Sequence, residues 1–156
     1  MLTMNRVITV LGYLGLAPFC LGLGLVIIDK ELVNIEDHVL FITYSAIILS
    51  FLSGALWGRS IEKPNRSLTL ILSNVFAILA WVSLLQVENS IGAALLLLMV
   101  GYFCVLATEY PAILSDFRRA SSPNKGASLP HLAPYSQMRV ILTSVVLTMH
   151  LILFLI

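Results

Sequence analysis

Residues 7–28 carry no charged side chain, and four further apolar runs follow within a chain of 156 residues. A helix rises about 1.5 Å per residue, so a run of this length crosses the ~30 Å hydrocarbon core of a bilayer. A secretory signal peptide also opens on a basic residue, here Arg6, but its apolar core is only about 7–15 residues long. The run therefore reads as a retained first span. The rest of the chain agrees: 59% of residues are hydrophobic and 11% charged, against about 45–50% and about 25% in soluble domains.

The order of spans follows from charge and turn residues. The first span covers about 7–28, with Pro18 near its middle predicting a kink and Gly12, Gly15, Gly22 and Gly24 making the helix slender. A polar loop at 29–37 holds four acids and Lys30. Spans are expected at about 38–58, 67–86, 90–110 and 138–156. Pro64 and Asn65 mark the turn between the second and third, and residues 87–89 form a tight connection between the third and fourth. Glu109, Tyr110 and Pro111 place the end of the fourth span near Tyr110, with a short interfacial stretch to Phe117. Residues 111–137 form the long loop, flexible by composition at 121–128. The fold class is all-α: a polytopic membrane protein, one domain, with a bundle of five transmembrane helices.

Orientation follows from Lys and Arg. In a five-span arrangement Arg6, Arg59, Lys63, Arg66, Arg118, Arg119, Lys125 and Arg139 share one side, and Lys30 alone takes the other. The positive-inside rule then sets the N-terminus cytoplasmic and the C-terminus outside. Trp57 and Tyr110 near inner span ends and Trp81 near an outer one fit an aromatic belt.

The second span is the one the others are expected to pack around. At about 100° per residue, Thr43, Ser50, Ser53, Gly54 and Trp57 fall on one face and Ile48, Leu52 and Leu56 elsewhere. Gly54 and Gly58 stand at small-xxx-small spacing, which lets a neighbouring backbone come close in lipid. Ser50, Gly54, Gly58, Gly12 and Gly15 are the expected helix-packing positions.

Three charges draw the functional reading. Arg59, Glu109 and Arg139 each lie at the inner end of a different span, where they can meet. A carboxylate at that depth is costly unless paired or wetted, and a guanidinium is its natural partner. With Trp57 they form the candidate site for an anionic ligand, a lipid headgroup, a quinone or a proton. The more common outcome for such charges is a structural ion pair, or separate side chains reaching the interface.

Other signals point to function less. Cys20 and Cys104 lie in separate apolar runs and read as ordinary buried small residues, with no disulfide framework or CxxC site. His38 and His150 both fall towards the outer side, but no further ligand accompanies them, so no haem or metal is expected; His131 lies in the long loop. Ser73, Asn74, Thr143, Ser144 and Thr148 are expected to make interhelical hydrogen bonds worth about 0.6 kcal/mol each. With no Asp, Glu, Lys or Arg near the midplane, ion-coupled transport is disfavoured. No GxSxG, HExxH or P-loop is present. No cofactor is expected, and basic residues confined to short loops argue against a nucleic-acid partner.

Residues 41–59, with Ser50, Phe51, Leu52, Ser53, Gly54, Ala55, Leu56, Trp57 and Gly58 in succession, and then Pro134 and Tyr135 leading through Arg139 to Leu142 and Thr143, resemble the family that includes mitochondrial transmembrane protein 69. Its bacterial members carry a domain of unknown function. The resemblance covers about 7–156 and implies a small multi-span protein of a bacterial inner membrane or its mitochondrial descendant. It supplies no catalytic residues. The chain opens almost at its first span, without an Arg- and Ser-rich transit segment, which favours the bacterial inner membrane.

The functional expectation has two forms. The first is a non-enzymatic inner-membrane protein whose partners are the bilayer and other membrane subunits, as an accessory or assembly factor of a larger complex. The alternative is a lipid- or quinone-binding protein, or a small membrane enzyme, that uses Arg59, Glu109 and Arg139 beside Trp57.

Overall fold

The computed structural model describes residues 4–28, 37–61, 66–120 and 132–156. Six helices cover nearly all of them: α1 (Met4–Leu14), α2 (Ala17–Ile27), α3 (Asp37–Ile61), α4 (Ser67–Leu85), α5 (Ile91–Ala120) and α6 (Leu132–Leu155). Among the described residues five stretches are long and apolar enough to cross a membrane: Arg6–Ile27, His38–Ile61, Ser67–Leu85, Ile91–Pro111 and Gln137–Leu155. The protein is an all-α, multi-span membrane protein. The expected turn at Pro64 and Asn65, residues 121–128 and His131 lie outside the described residues, as does most of the acidic loop.

The first span is two consecutive helices. α1 ends at Leu14, Gly15 and Leu16 form a turn, and α2 starts at Ala17 with Pro18 in its first turn. Proline is at ease there, because the first-turn N–H groups have no intrahelical acceptor. The expected distortion thus falls one turn ahead of the proline, where Gly15 is a weak helix former. The Tyr44 hydroxyl of α3 donates to the Gly15 carbonyl at 3.0 Å, so the break is anchored to the bundle.

Pro111 behaves differently. The sequence ends the fourth helix near Tyr110, but α5 runs through Pro111 to Ala120, and α6 begins at Leu132. Helix therefore occupies both ends of the expected 111–137 loop. An interior proline forfeits one backbone bond at about 3 kcal/mol.

α3 and α5 form the middle of the bundle. α3 touches α2, α4 and α5; α5 also touches α4 and α6; and α6 packs back against α1 and α2. The buried face of α3 runs Ile42, Ser45, Ala46, Leu49, Ser53, Leu56 and Ser60, a helical three-four spacing. α5 answers with Ala94, Leu95, Leu98, Tyr102, Val105 and Glu109. Residues such as Leu68, Ile71 and Phe103 face outward, as lipid-facing surface requires.

Three glycines permit close helix contact: Gly12 and Gly22 of the first span, which was expected to be slender, and Gly101, which was not singled out. A Cβ on Gly22 would sit 3.0 Å from Phe41 Cβ and 3.1 Å from its Cα, so α2 crosses α3 nearly backbone to backbone. A Cβ on Gly101 would overlap Leu49 and lie 2.9 Å from Leu79. Gly54 and Gly58 have nothing within 4 Å of such an atom and, like Ser50, lie on the exposed side of α3. The close approach expected at Gly54 and Gly58 is therefore not made among the described residues: periodicity places residues on a common face but does not say which face is inward. Gly12 does pack, against Met138 and Leu142 of α6, whereas Gly15 meets mainly its own helix backbone.

Small polar side chains mostly bond within their own helices. Asn74 donates to Leu70 O (2.9 Å), Thr148 to Ser144 O (2.9 Å) and Ser73 to Leu70 O (2.7 Å). The expected interhelical bonds give way to these because a carbonyl one turn back is already in reach. Ser53 is an exception, donating across to the Ser73 carbonyl of α4. Cys20, expected to be buried, is exposed on α2; both cysteines are free thiols.

Candidate functional site

At the Arg-rich end of the bundle three helices bring one carboxylate between two guanidinium groups. Glu109 stands on α5 half a turn before Pro111, and is 4% exposed. Arg139 Nη2 of α6 donates to Glu109 Oε2 at 2.6 Å, and Arg59 Nη2 of α3 donates to Glu109 Oε1. The side chain of Arg139 is 8% exposed and that of Arg59 is 44% exposed. One partner is thus enclosed and the other reaches the bundle surface. Charges held this far from water are stable only when paired and hydrogen-bonded.

Beside Arg139 the bundle is incompletely filled. A cleft of ≈ 390 Å³ lies between α1, α3 and α6, with Tyr102 of α5 at its floor. Ile8 and Leu11 form one wall, Ile48, Phe51 and Leu52 another, and Met138 and Leu142 a third. Arg139 is the charged residue in this lining, and Thr143, one turn further along α6, adds a hydroxyl-bearing side chain. Leu11 and Phe51 are 63% and 69% exposed, so the cleft opens sideways, where lipid lies. Its size falls in the range of small-molecule sites, about 300–1,000 Å³. Trp57 stands outside it, 44% exposed on the outer surface of α3.

A second polar cluster was not foreseen from the sequence. His150 is fully enclosed, with Nε2 2.7 Å from Ser45 Oγ and Nδ1 2.8 Å from Val146 O. The carbonyl can only accept, so Nδ1 carries the proton and Nε2 accepts from Ser45. Tyr102 in turn donates to Ser45 O at 2.9 Å, which satisfies all three side chains. Phe41 and Phe19 pack on the imidazole at ring separations of 4.8 and 6.2 Å. The Ser45–His150 pair has the spacing of a nucleophile and its base, but both residues are 0% exposed. The cluster joins α3, α5 and α6. A sequence signal existed: Ser45 shares the i, i+4 face of Leu49, and His150 that of Val146 and Leu153.

His38 lies elsewhere, seven residues before Ser45 on α3, beside a polar hollow lined by Glu88, Asn89 and Ser90. Among the described residues no three His, Cys, Asp or Glu side chains gather as a metal site would require.

These features define a small multi-span helical membrane protein with an ion trio at one end and a lateral apolar cleft leading to it. The chain matches the family described as "Protein of unknown function (DUF3429)" over residues 4–155, and it belongs to that family. It is similar to transmembrane protein 69 of Xenopus tropicalis, 35% identical over 86 residues. That alignment covers 49% of this chain and 34% of the frog protein, so the chain spans about a third of its relative's length. No solved structure matches.

Proposed function

We propose that the protein is a non-enzymatic membrane protein that takes an amphiphilic molecule from the bilayer into the cleft between α1, α3 and α6. The observation that carries this reading is the lining: apolar walls open to lipid, with a buried, carboxylate-held arginine at one end. Apolar pockets with a few convergent polar groups are the usual form of ligand sites. The Lys/Arg bias supports a cytoplasmic-leaflet position for that end, and a bacterial inner membrane is the location that goes with this reading.

The test is native mass spectrometry of protein extracted gently from its own membranes, wild type beside Leu142→Trp, which fills the cleft. Wild type should retain a bound amphiphile and the variant should lose it. Equal retention by both would remove the cleft from consideration.

A second reading, the accessory or assembly subunit, has its own observation. Ser50, Gly54 and Gly58 line an outward face of α3 that no helix among the described residues covers. Small residues in lipid suit a close-packed partner helix. Gly54→Leu should then release a stoichiometric protein partner in the same spectra while leaving the amphiphile in place.

A further inference from the structure

We infer that the amphiphile is an acyl ester whose carbonyl oxygen accepts a hydrogen bond from Thr143 inside the cleft. The inference rests on the cleft being an amphiphile site and adds the group that fixes the molecule in it.

The Thr143 hydroxyl is unused by the protein. The residue is 7% exposed, so more than nine-tenths of it is enclosed. The other threonines of α5 and α6 donate to the carbonyl four residues back, Thr108 to Cys104 O at 2.7 Å and Thr148 to Ser144 O at 2.9 Å. Thr143 stands in the same relation to Arg139 O and does not take it. Among the described residues its hydroxyl has no hydrogen-bond partner. Every fully enclosed side-chain nitrogen or oxygen among those residues does have one. The Thr143 oxygen is therefore not sealed in, and the open space beside it is the cleft it lines.

The chemistry of the missing partner follows from the lining. Tyr102 already donates to Ser45 O at 2.9 Å and Arg139 to Glu109 at 2.6 Å. Around Thr143 stand Leu142 and Val146 on its own helix and Ile48 and Leu52 on α3, all hydrocarbon. A hydroxyl hydrogen without an acceptor is costly away from water, and neither these side chains nor lipid tails supply one. The matching ligand carries an acceptor oxygen on an apolar body. An ester carbonyl accepts and brings no donor of its own, whereas an alcohol adds a second hydrogen for which the apolar walls hold no acceptor.

The position along the helix agrees. Thr143 lies four residues beyond Arg139, about 6 Å further from the ion trio at that end of the bundle. The cleft continues past it to Val146 and Phe19. A polar head at the span end, an ester one turn below it and a hydrocarbon chain beyond follow the same order. At ≈ 390 Å³ the cleft is at the small end for ligand sites and has room for one chain.

The experiment uses the full chain in neutral-detergent micelles doped with equal amounts of monoolein and 1-O-oleylglycerol, read by native mass spectrometry. The two lipids share head and chain and differ only in the ester carbonyl. Wild type should hold the ester roughly three- to tenfold over the ether, the worth of one hydrogen bond. In Thr143→Val, which keeps the shape and drops the hydroxyl, the ratio should fall to near unity. That variant should also melt no lower than wild type, because no bond within the protein is lost. A clear drop would show that the hydroxyl serves the bundle and would overturn the inference. Equal binding of ester and ether by wild type overturns it too, as does a preference that survives Thr143→Val. In those cases loss of both lipids from Leu142→Trp leaves the amphiphile reading standing. Binding of neither lipid by wild type removes both.

Discussion

Glu109 on α5 and Arg139 on α6 are joined at 2.6 Å, Oε2 to Nη2, with each side chain less than a tenth exposed. Arg59 completes the trio from α3, but its side chain is 44% exposed. The carboxylate is thus held by one enclosed and one exposed arginine, and removing the carboxylate should cost more than removing the exposed arginine.

Glu109→Gln leaves Arg139 enclosed beside a neutral amide. Breaking a buried pair by removing one partner costs about 3–5 kcal/mol, so the variant should melt well below wild type in detergent. Arg59→Gln, at a site open to solvent screening, should cost about 0–1 kcal/mol. Thermal unfolding followed by circular dichroism compares them. Equal melting shifts for the two variants would mean that Arg139 is not the enclosed partner. Because stability and binding both move in Glu109→Gln, this substitution alone does not separate a ligand site from a structural ion pair.

Sequence and structure part company at points with physical reasons. Five spans were legible because a bilayer imposes a length and a composition that soluble folds do not. The charges of the trio could be picked out because Arg59, Glu109 and Arg139 all fall at one end of their spans. The cleft was not legible, since a gap is a property of how three helices lean, and Ile8, Phe51 and Leu142 look like any other apolar residues. His150 shows the same limit: its place in the third dimension depends on Ser45, 105 positions away.

Gly101→Ala and Gly54→Ala should give results opposite to what glycine spacing alone suggests. A methyl on Gly101 collides with Leu49 and Leu79, and overpacking of this kind costs about 1–3 kcal/mol. A methyl on Gly54 meets nothing within 4 Å, and replacing a mid-helix glycine gains about 0.5–1 kcal/mol. Melting temperatures in detergent should therefore fall for the first and hold or rise for the second. A drop for Gly54→Ala in native membranes but not in detergent would point to a partner helix on that face.

The Ser45–His150 bond calls for a double-mutant cycle. Ser45→Ala leaves Nε2 enclosed with its hydrogen-bond partner gone, at a cost of about 1–3 kcal/mol, and His150→Phe leaves the Ser45 hydroxyl only its longer bond to Tyr102 OH at 3.4 Å. The double variant should cost less than the two singles added, because an apolar pair has no polar group left to satisfy. Strict additivity in the unfolding free energies would show that the bond contributes nothing to the bundle.

The last prediction concerns the break in the first span. Tyr44 OH donates to Gly15 O at 3.0 Å, where the chain passes between α1 and α2. A carbonyl at a helix break lacks its usual intrahelical donor, and in lipid no water stands ready to replace one. Tyr44→Phe keeps the ring, which packs against Phe19 at 4.9 Å, and removes only the donor. The global cost should be about 0.5–1.5 kcal/mol, with the larger effect local. α1 forms one wall of the cleft through Ile8 and Leu11, so loosening its hinge should speed amide exchange in α1 while α3 and α5 keep their protection. The same variant should release a bound amphiphile faster. Exchange that rises evenly through all the helices would mean instead that the hydroxyl supports the bundle as a whole and that α1 does not move as a separate wall.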